Sequence, residues 1–167
     1  LVNAIGNLPE DLFSECDIVV FGQDRPKENT HRKFDKIIWM GQIFDEYTLP
    51  VLYGCADVVV VPSRLEAFGL VAAEAQSCGI PVVAFNATGL KDVVEHKITG
   101  FLAKPYDAND LSDGILWVLS NSDRSNSLSA EARKKACAEW SPEVIIPKYM
   151  DIYKKVIDKN NKRNKLL

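Results

Sequence analysis

The sequence is poor in the residues from which metal centres and disulfide frameworks are built. Its 167 residues include two histidines and four cysteines, Cys16, Cys55, Cys78 and Cys137. The cysteines are scattered, form no C-x-x-C pair and have no histidine cluster beside them. That argues against a zinc site or a disulfide framework and suits a reducing compartment. No D-x-D pair occurs, and Asp45, Asp57 and Asp92 stand isolated, so no metal is expected. No apolar run approaches the roughly 20 residues needed to span a bilayer. No basic segment precedes an apolar one at the amino end, so a secretory signal is not expected. The net charge of −3 gives no reason to expect nucleic acid as a partner. There is no internal repeat and no low-complexity segment within the domain.

What is present is ordinary for one globular domain with a sizeable core, at 47% hydrophobic and 26% charged residues. The domain is expected over 1–157. The polar, locally basic tail DKNNKRNKLL (158–167) reads as a frayed end or a linker, with a membrane-surface contact as the alternative.

Four short β-branched runs predict strands: DIVVFG (17–22), KIIWMG (36–41), DVVVVPS (57–63) and PVVAF (81–85), with a weaker fifth in GFLAK (100–104). They are continuously apolar instead of alternating, as parallel strands covered on both faces must be. Helical patterns lie between them at about 45–55, 69–78, 89–95 and 108–120. Alternating strand and helix predicts right-handed βαβ units and a doubly wound α/β sheet. Beyond Pro105 the pattern is all helical, with Asp107 and Asp110 as candidate caps, a helix in SLSAEARKKACAEW, and a last one in SPEVIIPKYMDIYKKVID that Pro147 should kink or interrupt. The opening LVNAIGNL has helical spacing. A helix at that place in an α/β domain normally follows a strand, so the first strand is expected to be missing.

Ligands of open parallel sheets bind at the carboxyl ends of the strands. The loop after the third predicted strand, in PSRLEAFGLVAAEAQSCG, is the most informative. Gly69 stands at a helix start, where unpaired N–H donors and the helix dipole make an anion site. Glu66 lies before that helix and Glu74 about 7.5 Å along it. Two acceptor-only carboxylates on either side of an anion site suit a ligand with hydroxyls on both sides of a diphosphate, the shape of a nucleotide sugar. The bland alternative is equally weighted at this point: Glu74 paired with Lys91 or Arg64 on the surface, and Glu66 merely favouring the dipole.

The segment PSRLEAFGLVAAEAQSCGIPVVAFNATGLKDVVEHKITGFLAKPYDANDLSDGI (62–115), with MGQI and LPVLYGCADVVVVPS upstream, resembles the donor-binding half of retaining GT-B glycosyltransferases, glycosyltransferase family 4 or group 1. The resemblance is carried by Glu66, Phe68, Gly69, Leu70, Glu74, Gly79, Pro81, Val82, Gly89, Asp92, Val93, Val94, Gly100 and Pro105. It implies a Rossmann-like doubly wound parallel sheet, the C-terminal half of a GT-B fold, with C-terminal helices. It implies that Glu66 is the catalytic-centre residue, contacting hydroxyls of the transferred sugar, and that Glu74 holds the ribose. The backbone N–H groups of Phe68, Gly69 and Leu70 would meet sugar and diphosphate, and Gly41, Gln42 and Ile43 would line the base pocket. The donor would be a UDP- or GDP-sugar, with no cofactor and no metal, and the sugar would pass to a glycan or lipid-linked acceptor.

Two departures stand out: Thr88-Gly89 where the family often has Gly-Gly, expected to alter the sugar pocket, and Ala67 where it has Pro, expected to loosen the loop. The family's diphosphate-gripping Arg and Lys, its acceptor site and its N-terminal domain are not matched by any segment here, so an acceptor-binding domain is the expected partner and this chain alone is expected to be inactive. The expected location is cytoplasmic, with peripheral contact at the inner membrane face as an alternative. A GT-B-like sugar epimerase or phosphorylase, or a non-enzymatic α/β interaction module, are the competing readings. Lesser candidates are Arg25 and Lys27 as charge for the diphosphate, His96 as a surface histidine, His31, Arg32 and Lys33 as a solvated loop, Arg64 near the sugar or paired with Glu66, and Trp39 and Trp117 as core.

Overall fold

The computed structural model describes residues 1–25 and 36–164, with side chains described to residue 159. Lys27, His31, Arg32 and Lys33 lie outside the described residues. All five predicted strands form: β1 (Ile18–Val20), β2 (Ile37–Trp39), β3 (Val59–Val61), β4 (Val82–Phe85) and β5 (Gly100–Ala103). Every pairing is parallel. The single sheet expected from the sequence is present as two pieces, β1-β2 and β3-β4-β5. The central β4 is buried at all four residues, which is why its sequence reads as an unbroken apolar run.

The helices are α1 (Val2–Gly6), α2 (Glu10–Glu15), α3 (Thr48–Gly54), α4 (Leu70–Ser77), α5 (Leu90–Val93), α6 (Ala108–Leu119), α7 (Ser122–Trp140) and α8 (Pro142–Asn164). One core cluster joins Tyr53, Val59, Val61, Val82, Ala84 and the buried alanines of α4. A second joins Ala4 of α1 and Leu8 just after it to Val83, Phe85, Leu111, Ile115 and Leu128 on the other side. Trp39 packs on a smaller cluster around Phe13 and Ile37, and Trp117 on the second cluster, so both are core residues as expected.

Asp107 caps α6, accepting from the N–H groups of Asn109 at 2.9 Å and Asp110 at 3.2 Å. Asp110, the other candidate cap, instead accepts from the N–H of Lys104 at 2.6 Å and so ties the chain after β5 to α6. Sequence reasoning starts α7 near residue 127. It starts at Ser122, because Asn121 accepts from the N–H of Arg124 at 2.8 Å and supplies the cap. Pro147 does not interrupt α8, which runs unbroken across residue 158 to Asn164. The proline sits in the second turn, where its missing N–H leaves only the Glu143 carbonyl without its helical donor. Among the described residues no helix is long and apolar enough to cross a membrane.

Candidate functional site

The site is built where the chain leaves β3 and β4 at their carboxyl ends. Gly69 precedes α4 with φ 101° and ψ 56°, a left-handed conformation that excludes ordinary side chains. A Cβ at Gly69 would also stand 2.9 Å from Cδ2 of Leu90. The first intrahelical bond of α4 runs from Ala73 N–H to Gly69 C=O at 3.1 Å. The N–H groups of Leu70, Val71 and Ala72 therefore have no intrahelical acceptor, and no side chain caps them. α6 and α7 both carry side-chain caps; α4 presents bare donors and the positive end of its dipole. Beside those donors the Leu70 residue is 66% exposed.

The loop carrying Glu66 is tied to the loop after β4. Glu66 N–H donates to Thr88 Oγ1 at 3.1 Å, and Gly89 N–H donates to Glu66 C=O at 3.0 Å. The two loops press so closely that a Cβ at Gly89 would lie 2.6 Å from both Ala67 O and Phe68 Cα. Thr88 holds this tie at φ 49°, an uncommon place for a β-branched residue. The sequence reading assigns Thr88 to the sugar pocket; its hydroxyl here fixes the backbone of Glu66. The half-buried Glu66 keeps its carboxylate without a hydrogen-bond or ion-pair partner among the described residues.

Glu74 is not paired with Lys91 or Arg64. Its Oε2 accepts from the hydroxyl of Tyr53 at 2.9 Å. Tyr53 is 2% exposed and sits in the core with only its hydroxyl directed at the carboxylate. Burial, and then the hydrogen bond to Glu74, push the Tyr53 phenol above its ordinary value of 10, so it stays a donor. Glu74 itself is exposed, which leaves its remaining acceptor positions open. Arg64 lies over the ring of Tyr106 at 5.5 Å, and Tyr106 donates to the Arg64 carbonyl at 3.2 Å; no ion pair with Glu66 forms.

The ring of Phe68 stands edge-on to Trp140 at 5.8 Å. Trp140 ends α7, and Lys135 lies over its ring at 5.8 Å while bonding Glu95 at 2.7 Å and Glu139 at 3.1 Å. The Phe68 side chain therefore anchors the loop to α7.

Gly41, Gln42 and Ile43 follow β2. Gly41 has φ 65°; its carbonyl accepts from Gly22 N–H at 2.8 Å, and Gln42 Nε2 donates to the Gly22 carbonyl at 2.5 Å. Gly22, fixed by these two bonds, lines a cavity of about 310 Å³ together with Ser63 and with Val71 of α4. The structure thus brings Glu66, Phe68, Gly69, Leu70 and Glu74 together around one helix start. The 41–43 loop is not bonded to them among the described residues; it is tied to Gly22, whose cavity reaches α4 at Val71. Asp45 orients the chain beyond that loop, accepting from Thr48 N–H at 2.7 Å and Tyr47 N–H at 3.1 Å.

His96 serves the fold: its Nδ1 accepts from Leu102 N–H at 3.0 Å, and its ring packs on Phe101 at 4.7 Å. Sequence reasoning missed Tyr53 and Trp140. The signal for Tyr53 was available, since a tyrosine inside an apolar helix needs a partner for its hydroxyl.

Residues 1–135 match the family described as glycosyl transferases group 1. D-inositol 3-phosphate glycosyltransferase of Xylanimonas cellulosilytica is 37% identical over 142 residues, 80% of this chain and 33% of that protein. Among solved structures, the sucrose-phosphate synthase of Thermosynechococcus elongatus superposes with a TM-score of 0.79 at 28% identity, over 94% of this chain and 42% of that one. Anabaena HepE, in complex with UDP and glucose, gives 0.67 at 25% identity over 74% of this chain and 35% of its own. The chain spans about a third of the length of the curated relatives it matches.

Proposed function

The chain belongs to the glycosyl transferases of group 1, and on that premise we propose that it supplies the donor site of a retaining sugar transferase whose donor is a UDP- or GDP-sugar. The observation that carries the reading is the uncapped α4 start held between two carboxylates, one without a partner among the described residues and one aimed by a buried tyrosine. In this reading the diphosphate lies against the N–H groups of Leu70 and Val71. The ribose hydroxyls bond Glu74, the base rests on the 41–43 loop, and the sugar reaches Glu66. Complexes of a structural neighbour with UDP and glucose support a nucleotide sugar as the ligand class.

As the anomeric carbon separates from the diphosphate, negative charge grows on the leaving oxygens. Donors fixed in place before the reaction stabilise that charge without reorganising, and the α4 start supplies such donors. Glu66 needs an unshared carboxylate to accept from sugar hydroxyls, and its backbone tie to Thr88 and Gly89 holds it in place for this. The acceptor, a glycan or lipid-linked sugar, and the cations that grip the diphosphate belong in this proposal to a separate domain. We place the enzyme in the cytoplasm, peripheral to the membrane if its acceptor is a lipid.

Calorimetric titration with UDP, GDP and ADP at millimolar concentration tests the proposal. One nucleoside diphosphate binds, and Glu74→Ala weakens it by roughly 10- to 100-fold, since a hydrogen bond to a charged acceptor is worth about 1.5–3 kcal/mol. Absence of affinity for all three, in this chain and in the longest protein that contains it, would sink the reading.

A further inference from the structure

Among the described residues, Thr88, Lys97 and Tyr106 are the non-glycine residues with a positive φ. Tyr106 is the bulkiest, and its turn shows what the position ordinarily takes. Asp107 N–H donates to Lys104 C=O at 3.2 Å, closing a turn with Pro105 in second place and Tyr106 in third at φ 65°. Proline second and a positive φ third make the type II pattern, whose third place belongs to glycine or asparagine. A tyrosine there carries a conformational penalty that glycine would not. Burial does not offset it, because Tyr106 is 50% exposed. Its ring meets Phe85 edge-on at 5.9 Å. Its other two contacts both go to Arg64, 42 residues away.

Arg64 stands two residues before Glu66, on the loop from β3 to α4. That loop is held at alternate residues: Arg64 C=O by Tyr106, Glu66 by Thr88 and Gly89, Phe68 by Trp140. Among the described residues, 63–65 make no hydrogen bond but the one from Tyr106. The Arg64 guanidinium lies over the Tyr106 ring at 5.5 Å and forms no ion pair among the described residues. An arginine two residues from a carboxylate that lacks a partner would ordinarily become that partner, since a guanidinium forks onto a carboxylate with two parallel bonds. The ring gives the guanidinium another place by cation–π attraction. The hydroxyl fixes the backbone from which the arginine starts.

We propose that Tyr106 is a positioning residue for the sugar end of the candidate site: it holds Arg64 away from Glu66 and so leaves that carboxylate open to sugar hydroxyls. The inference rests on the reading of Glu66 as the sugar contact. A guanidinium bonded to Glu66 would occupy the same oxygen lone pairs that a sugar hydroxyl needs. Loss of the tyrosine therefore weakens binding of the sugar part of the donor and leaves the nucleotide part as it was.

The test is calorimetry with UDP, UDP-glucose, GDP and GDP-glucose on the parent chain, Tyr106→Gly and Tyr106→Asn. Both replacements suit a positive φ, so the turn keeps its shape, and the second stands in if the first does not fold. The ratio of nucleotide-sugar to nucleotide affinity should fall by roughly three- to tenfold in both, the effect of a competing ion pair and one lost hydrogen bond. Nucleotide affinity itself should not change. Adding Arg64→Gln to either variant removes the competitor and should restore the ratio to within about twofold of the parent, which no general loosening of the fold would do. Equal losses for nucleotide and nucleotide sugar, or no restoration, overturn the proposal. A second measurement needs no ligand. Exchange of the Arg64 Nε–H with water, followed by nitrogen-resolved NMR, should slow by roughly threefold or more in Tyr106→Gly as the guanidinium pairs with Glu66, and Glu66→Gln should reverse it. Equal exchange in parent and variant overturns the proposal as well. Absence of affinity for all four ligands refutes the donor reading and the sugar contact with it, while the Arg64 signal still decides whether Tyr106 keeps Arg64 from Glu66.

Discussion

Replacing Gly89 by alanine probes the joint between the two loops that frame the candidate site. Gly89 has φ −66° and ψ −20°, which any residue adopts, so the substitution strains no backbone dihedral. The whole effect comes from contact. The new methyl would lie 2.6 Å from Ala67 O and from Phe68 Cα, against 3.4 Å for ordinary contact, a shortfall of about 0.8 Å. Both atoms are backbone, so no side chain can rotate aside. The 66–69 loop has to move, and a movement of that size breaks the 3.0 Å bond from Gly89 N–H to Glu66 C=O. Overpacking costs about 1–3 kcal/mol and the lost bond about 1 kcal/mol, so destabilisation of roughly 2–4 kcal/mol is expected. For a chain of this size that is a fall in thermal midpoint of roughly 5–15 °C. Gly54→Ala is the control: nothing lies within 4 Å of its Cβ position, and a change of no more than about 1 kcal/mol, in the stabilising direction, is expected. Urea denaturation gives the stabilities and calorimetry the nucleotide affinity. If Gly89→Ala unfolds within about 0.5 kcal/mol of the parent and binds nucleotide equally well, the loops are not wedged together and the reasoning fails.

Tyr53→Phe removes the donor that aims Glu74; nucleotide affinity should fall by up to about tenfold with the fold retained, and calorimetry on the variant decides it. Thr88→Val keeps the β-branched shape and the unusual φ but deletes the acceptor for Glu66 N–H, so unfolding in urea should come about 1 kcal/mol earlier, with weaker binding of the nucleotide sugar than of the free nucleotide. Burial and the neighbouring Lys97 hold His96 below its ordinary value of 6.5, while Asp110 pulls the other way. Because the fold favours the neutral ring, this contribution is complete above 6.5 and is lost as the pH falls through the folded-state value. The thermal midpoint should therefore drop on acidification below about pH 6.5 by more than it does in His96→Gln, and equal drops would contradict the role of the ring as acceptor for Leu102.

The strands were legible in the sequence because each is a short, unbroken β-branched run with no helical period, and burial on both faces demands that pattern. α4 was legible from Gly69 at its start and Cys78-Gly79 at its end. α2 escaped because six residues are too few to show a period, and the true start of α7 escaped because Asn121 outranks the apolar spacing further on. Within the site, local spacing picked out the helix start at Gly69 with Glu66 and Glu74 on either side of it, but left a plain surface role for both carboxylates equally open. The partners that give them geometry could not be read this way: Thr88 lies 22 residues from Glu66, Tyr53 lies 21 from Glu74, and Trp140 reaches Phe68 from the far end of another helix. The split of the sheet was equally invisible, since strand order depends on which edges meet and not on the composition of any one run.

The contact between Phe68 and Trp140 also gives the molecule an optical probe. All three of its tryptophans are partly buried against core clusters, and Trp140 in addition rests against Phe68 of the loop that leads into α4. Indole emission responds to the polarity and rings around it, so displacement of that loop by a ligand changes the light from Trp140 and leaves the other two as an internal reference. Substituting Trp140 alone by phenylalanine should then silence the ligand-dependent part of the spectrum, allowing loop movement to be timed by stopped flow without attaching a dye.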